Sequence, residues 1–167
     1  VTFVQTTPGP VVKGVYIGLV SDVPGTTAQN VFLALFNPPG GNIVSALQLT
    51  VSAYTIGSSS TPSSFLVSRI TGYSGGTLVA PATVPRFVTT MPNPVTQVVT
   101  GNPSVTLSGT PVYNLSPPIS TGAGTSGVGS ISAAAAALVL PGQGLAFYTA
   151  AGNTNQLWDV NVAFEEF

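Results

Sequence analysis

The chain has no cysteine and no histidine, and of its 167 residues only three are basic and four acidic. Without cysteine there is no disulfide framework and no thiol nucleophile. Without histidine the imidazole-based triads lose their base, and zinc loses its best ligands. The missing cysteines leave the redox compartment undefined, because both oxidising and reducing surroundings tolerate their absence. Charged residues make up 4% of the chain, against about a quarter in an average protein. With a net charge of -1 and no clustered Lys or Arg, nucleic acid is not an expected partner. Long apolar runs are missing too. "ISAAAAALVL" falls well short of the about 20 residues that a membrane-spanning helix needs, and no basic n-region opens the chain, so no signal peptide is visible.

What is present is apolar and β-favouring. Hydrophobic residues are 44% of the chain, with 19 glycines and 15 prolines. That content supplies a core and excludes disorder. The length suits one domain and allows roughly two-thirds of the unfolded surface to be buried without metal or disulfide staples. The surface then falls to Ser, Thr, Asn, Gln and Gly. A free monomer so weakly charged has little repulsion to keep copies apart. The composition therefore points to a subunit that lives in an assembly.

Short strand-like runs are separated by Pro- and Gly-rich turns. The runs are "VVKGVYIGLV", "QNVFLALFN", "NIVSALQLTVSAYTI", "SFLVSRI", "RFVTT", "TQVVT", "SVTLSG", "GLAFYTA" and "LWDVNVAFEE". The turns include "DVPGTT", "NPPGG", "MPNP", "GNPS" and "PGQG". This spacing predicts an all-β fold, an antiparallel β-sandwich of jelly-roll type with about 8–10 strands. Residues 1–10 read as an N-terminal arm broken by "TTPGP", and 11–167 as one sandwich domain. Within 116–142 the Gly/Ser/Ala-rich stretch reads as a long loop, with one helical turn or a small-residue strand at 131–139.

Period-2 alternation assigns faces. Trp158, Val160, Val162 and Phe164 alternate with Asp159, Asn161, Ala163 and Glu165, so the first set points inward and the second outward. Leu47, Leu49 and Val51 alternate with Gln48, Thr50 and Ser52, and the shift to Tyr54 and Ile56 predicts a bulge, or a strand changing sheets, beyond Val51. Three of the four acids, Asp159, Glu165 and Glu166, fall on the last strand. Charge on an exposed strand face blocks edge-to-edge aggregation. It also makes these three, with Val1, Thr2, Phe3 and Val4 of the arm, the candidate assembly contacts.

Chemistry has few candidates. Gly122, Gly124 and Gly127 form a literal GxGxxG, but no strand precedes it and no acid lies about 20 residues on, so it reads as a flexible loop. Asp159 and Glu165 are the one same-face carboxylate pair on the last strand. At about 3.3 Å per residue they stand about 20 Å apart, too far for two-carboxylate hydrolysis of a glycosidic bond. Asp22 has no evident partner in the sequence. The expectation is a non-enzyme with no cofactor, no metal and no small-molecule substrate. An outer-membrane barrel is not expected, because counting back by twos from Phe167 meets Glu165, Ala163 and Asn161 on what would be the lipid face.

Two stretches, "NVFLALFNPPGGNIVSALQLTVSAY" and "LVLPGQGLAFYTAAGNTNQLWDVNVAFEE", resemble small structural proteins of tailed-bacteriophage heads. The matching residues are Phe32, Leu33, Asn37, Pro38 and Gly40, then Pro141, Gly142, Gly144 and Leu145, then Trp158, Phe164 and Glu165. Unlike the pattern it resembles, "NPPGG" carries an extra proline and no basic residue after it. The resemblance implies a decoration or minor capsid protein on the outer surface of the virion, bound to the major capsid protein and to its own copies, commonly as a trimer. The rival expectation is a fibre- or adhesin-type module that binds glycans, for which Tyr73, Tyr113 and Tyr148 are the aromatic candidates.

Overall fold

A computed structural model describes residues 13–55, 64–115, 129–151 and 154–167. The proposed arm, the GxGxxG glycines and Val1, Thr2, Phe3 and Val4 lie outside the described residues. Ten strands are formed: β1 (Gly14–Pro24), β2 (Asn30–Asn37), β3 (Val44–Thr55), β4 (Phe65–Ser74), β5 (Thr77–Leu78), β6 (Gln97–Thr100), β7 (Ser104–Leu115), β8 (Gly129–Val139), β9 (Gln143–Thr149) and β10 (Gln156–Glu166). They make two antiparallel sheets packed face to face, one ordered β1-β10-β3-β8 and the other β5-β6-β2-β9-β4-β7. The chain crosses between sheets at every step except from β4 through β7, which stay in the six-stranded sheet. β1, β3, β8 and β10 lie in the four-stranded sheet, and the strands between them lie in the six-stranded one.

The inner faces form the core. Trp158 packs on Phe32 and Phe65 with ring centroids 5.5 and 5.7 Å apart, and Tyr16 lies 5.5 Å from Phe164. Offset aromatic groups of this kind add to the area that they bury. A second buried cluster, Val31, Ala34, Ile70, Val99, Ala146 and Tyr148, lies on the opposite face of the six-stranded sheet. The unbroken apolar run in β2 therefore has a cause: Leu33 and Leu35 serve the inter-sheet core, while Val31 and Ala34 serve the second cluster. A strand buried on both faces shows no alternation. Gly144 on β9 is held to its size, since a Cβ there would stand 2.4 Å from the Leu35 carbonyl oxygen.

Two sequence expectations are corrected and one open alternative is decided. "RFVTT" is not a strand. Only Arg86 makes an isolated bridge, to Tyr16, and the chain then turns, with Met91 N–H donating to the Val88 carbonyl at 3.1 Å. Pro85 and Pro92 flank the run and lack the N–H that would carry a ladder on past either end of it. Of the two readings left open for 131–139, the small-residue strand is the one formed: it is part of β8, paired with β3 from Ala53↔Gly129 to Val44↔Val139. Tertiary pairing overrides the helical preference of alanine. The bulge in β3 lies at Leu47, where the register with β10 steps from Gln48↔Ala163 to Ala46↔Phe164, rather than beyond Val51. Leu47 is pushed into solvent, Ala46 takes the inward place, and the phase then holds through Leu49, Val51 and Ala53.

The turns that carry the phage-head resemblance meet at one end of the sandwich. Asn37 is fully buried. Its amide donates to the Asn42 carbonyl and, at 3.3 Å, to the Val139 carbonyl. Its own carbonyl accepts Gly142 N–H at 2.8 Å. Asn37 thus ties the β2–β3 turn to the β8–β9 turn. Asn37→Ala is expected to cost about 1 kcal/mol, the net worth of an ordinary buried hydrogen bond. A urea midpoint equal to wild type would show that water replaces the amide.

Candidate functional site

Apart from Arg69, every charged residue lies on β1 or β10 or beside them: Lys13, Asp22, Asp159, Glu165, Glu166 and Arg86. They form two groups, one at each end of this strand pair. At the first end β10 finishes with Glu166, which shares the inward phase of Phe164 and is 2% exposed. Its carboxylate accepts Thr96 N–H at 2.7 Å and Val95 N–H at 3.2 Å. It thereby holds the end of the long 79–96 connection against the sandwich.

Other contacts fasten the same connection. The Tyr16 hydroxyl donates to the Pro92 carbonyl at 3.1 Å, and the Arg86 guanidinium donates to the Met91 carbonyl at 2.6 Å. Burial raises the Tyr16 phenol above its ordinary value of 10.0. The Glu166 carboxylate pushes it the same way, and the Arg86 guanidinium opposes them. Below about pH 10 both folded and unfolded chains keep this proton and its contribution to stability is complete. As pH rises further the unfolded chain loses the proton first, so stability falls. Tyr16→Phe is expected to flatten that alkaline loss. The check is the difference in urea midpoint between about pH 9 and about pH 11. An unchanged difference would mean that other tyrosines carry it.

At the second end the register of β1 with β10 shifts between Val20 and Val23. Asp22 stands at this bulge with φ +57°, a left-handed conformation that Asp tolerates better than most residues. Its N–H donates to an Asp159 carboxylate oxygen at 2.8 Å, and its own carboxylate accepts the Tyr54 hydroxyl. Tyr54 faces outward because the bulge at Leu47 leaves Ala53 pointing in. Asp22, without an evident partner in the sequence, is brought to Asp159 by strand pairing across the chain.

The candidate contact residues therefore separate. Asp159 and Glu165 are half-buried on the outer face of β10. Glu165 sits between Val15 and Ser45 in register. Glu166 was expected with them and is instead turned into the chain, because alternation sends neighbouring residues to opposite faces. Its carboxylate is occupied by the 79–96 connection and is not presented at the surface. The aromatic candidates fare likewise. Tyr148 is buried with its hydroxyl 3.0 Å from Ser68 Oγ, Tyr73 is half-buried and donates to Gln97 Oε1 at 2.9 Å, and Tyr113 is half-buried on β7.

Two surface features went unnoticed in the sequence. Edge strand β7 of the six-stranded sheet exposes Leu107 and Val112, and edge strand β8 of the four-stranded sheet, with the residue just after it, exposes Leu138 and Leu140. Neither strand holds a charged residue, and Arg69 reaches β8 only to donate to the Leu138 carbonyl at 2.7 Å. The other feature is Phe87 on the outer face of the four-stranded sheet, beside a hollow of about 150 Å³ bordered by Ile17, Gln48, Thr50, Asn161 and Ala163. Among the described residues no group of three or more His, Cys, Asp or Glu is placed to hold a metal ion. A scan against protein-family models found no match to the chain, and a search of the curated proteins found none either.

Proposed function

We propose that this chain is a non-enzymatic structural protein of a virion, which sits on the outer capsid surface, binds the major capsid protein and packs against its own copies as a trimer. The observation that carries this reading is the strand order. The order β1-β10-β3-β8 in one sheet and β2-β9-β4-β7 in the other, with β5 and β6 added beside β2, supports reading the sandwich as a jelly roll. Viral capsid domains are among the proteins built this way. The argument is one of fold-level analogy, and the distribution of charge gives it specific content. The edge strands β7 and β8 carry exposed apolar side chains and no charged residue of their own, so a neighbour covering them would meet only the Arg69 guanidinium, already bonded to the Leu138 carbonyl.

Light scattering at tens of micromolar tests the association. A mass three times that of the chain is expected, unaffected by EDTA, and Leu138→Lys is expected to shift it toward the monomer. Leu138 is 54% exposed, so the lysine leaves folding intact. A wild-type monomer would remove the self-association part. Failure to co-sediment with shells of the major capsid protein would remove the capsid part.

A further inference from the structure

The outer face of the four-stranded sheet carries a feature for which the assembly reading has no use. Phe87 belongs to a short segment laid along the free edge of β1. Ile17 N–H donates to the Pro85 carbonyl at 3.0 Å, and Phe87 N–H donates to the Val15 carbonyl at 3.2 Å. The Arg86 guanidinium braces the segment from the other side by its bond to the Met91 carbonyl. The backbone under the ring is thus pinned, and yet Phe87 is 63% exposed, more than any other large apolar side chain among the described residues.

The ring stands at the hollow of about 150 Å³, and strand register fixes the other walls. Ile17, Ala163 and Gln48 form one cross-strand row, and Asn161 and Thr50 belong to the next. The hollow is therefore apolar toward Phe87, Ile17 and Ala163, and carries amides from Asn161 and Gln48 and a hydroxyl from Thr50. Among the described residues no ionisable side chain borders it.

We propose that this hollow binds one neutral sugar ring, with the C–H face of the sugar on Phe87 and its hydroxyls on Asn161 and Thr50. A pyranose has an apolar C–H face and a rim of hydroxyls, and the two kinds of wall match these two parts. The negative face of an aromatic ring attracts polarised C–H groups. An Asn amide offers both an acceptor and two donors, and a Thr hydroxyl offers one donor and acceptor lone pairs, so each can satisfy a sugar hydroxyl in either sense. The volume lies below the about 300 Å³ at which pockets for drug-sized ligands begin, which suits a single ring. An apolar patch from another copy of the chain fits less well, because covering Asn161 and Thr50 with hydrocarbon would leave their polar groups unpaired. The site is separate from the β7 and β8 edges and stands whether or not the chain sits on a capsid.

The test is saturation-transfer NMR on the intact protein with free glucose, galactose, mannose, N-acetylglucosamine and N-acetylgalactosamine. At least one of these sugars is expected to receive saturation from the wild type. Phe87→Ala and Asn161→Ala are each expected to weaken that sugar by about tenfold, the effect of losing one stacking or hydrogen-bonding partner, with melting temperatures unchanged. Leu78→Ala, an exposed control on β5, is expected to bind as wild type. The proposal is overturned if no sugar of the panel binds the wild type, or if binding survives Phe87→Ala. It is also overturned if Phe87→Ala abolishes self-association while no sugar binds, which would make the ring a contact between copies.

Discussion

Phe164→Ala is expected to lower the unfolding free energy by about 3–5 kcal/mol, while Glu165→Ala, one residue away, is expected to change it by less than about 0.5 kcal/mol. The contrast comes from a single turn of the strand's pleat. Phe164 is fully buried, pairs in register with Tyr16 and Ala46 and packs its ring on Tyr16. Alanine there removes a phenyl group from a close-packed interior and leaves a cavity that two hydrogen-bonded sheets cannot close. Glu165 points to the outer face, where water solvates its carboxylate in either state. Urea denaturation followed by emission from Trp158, the only tryptophan and itself in the core, measures both. Equal losses would show that the outer face of β10 is covered and that the alternation argument is wrong.

Glu166→Ala is expected to cost about 1.5–3 kcal/mol, the worth of hydrogen bonds to a charged acceptor. The side chain fills little core volume, so the loss comes from what it leaves behind. Thr96 would keep a buried N–H without an acceptor, the half-buried Val95 N–H would lose its own, and the end of the 79–96 connection would come away from β10. Glu166→Gln keeps one carbonyl oxygen and is expected to lose less than half as much. Hydrogen exchange gives a readout that a general loss of stability would not imitate. The Val95 and Thr96 amides should exchange faster in Glu166→Ala, while those of β2 and β9 at the sheet centre stay protected. Uniform acceleration throughout the chain would place the role of Glu166 elsewhere.

These two predictions divide at neighbouring residues, and they show what a strand pattern can disclose. The alternation in "LWDVNVAFEE" placed Trp158, Val160, Val162 and Phe164 inward without any structure. Continued by one step, the same phase places Glu166 inward as well. Residue type alone points the other way, because a carboxylate is ordinarily a surface group and Glu166 stands beside Glu165 and near Asp159 in the sequence. The partner that permits a buried carboxylate, a pair of backbone N–H groups 70 residues earlier in the chain, has no sequence signature.

Composition and period-2 patterning determined by themselves that this protein is all-β, has a large apolar core and lacks the residues for imidazole or thiol chemistry. Those properties depend on residue type and on nearest neighbours along one strand. Tertiary structure alone decided that the bulge falls at Leu47, that the alanine-rich stretch is a strand, and that Asp22 meets Asp159. It also decided that Phe87 stands exposed over Thr50 and Asn161. Each of these follows from which strand lies beside which, and in what register. Backbone N–H and C=O groups are the same at every position, so a strand's own side chains show which face is buried but do not name the strand that will pair with its edge.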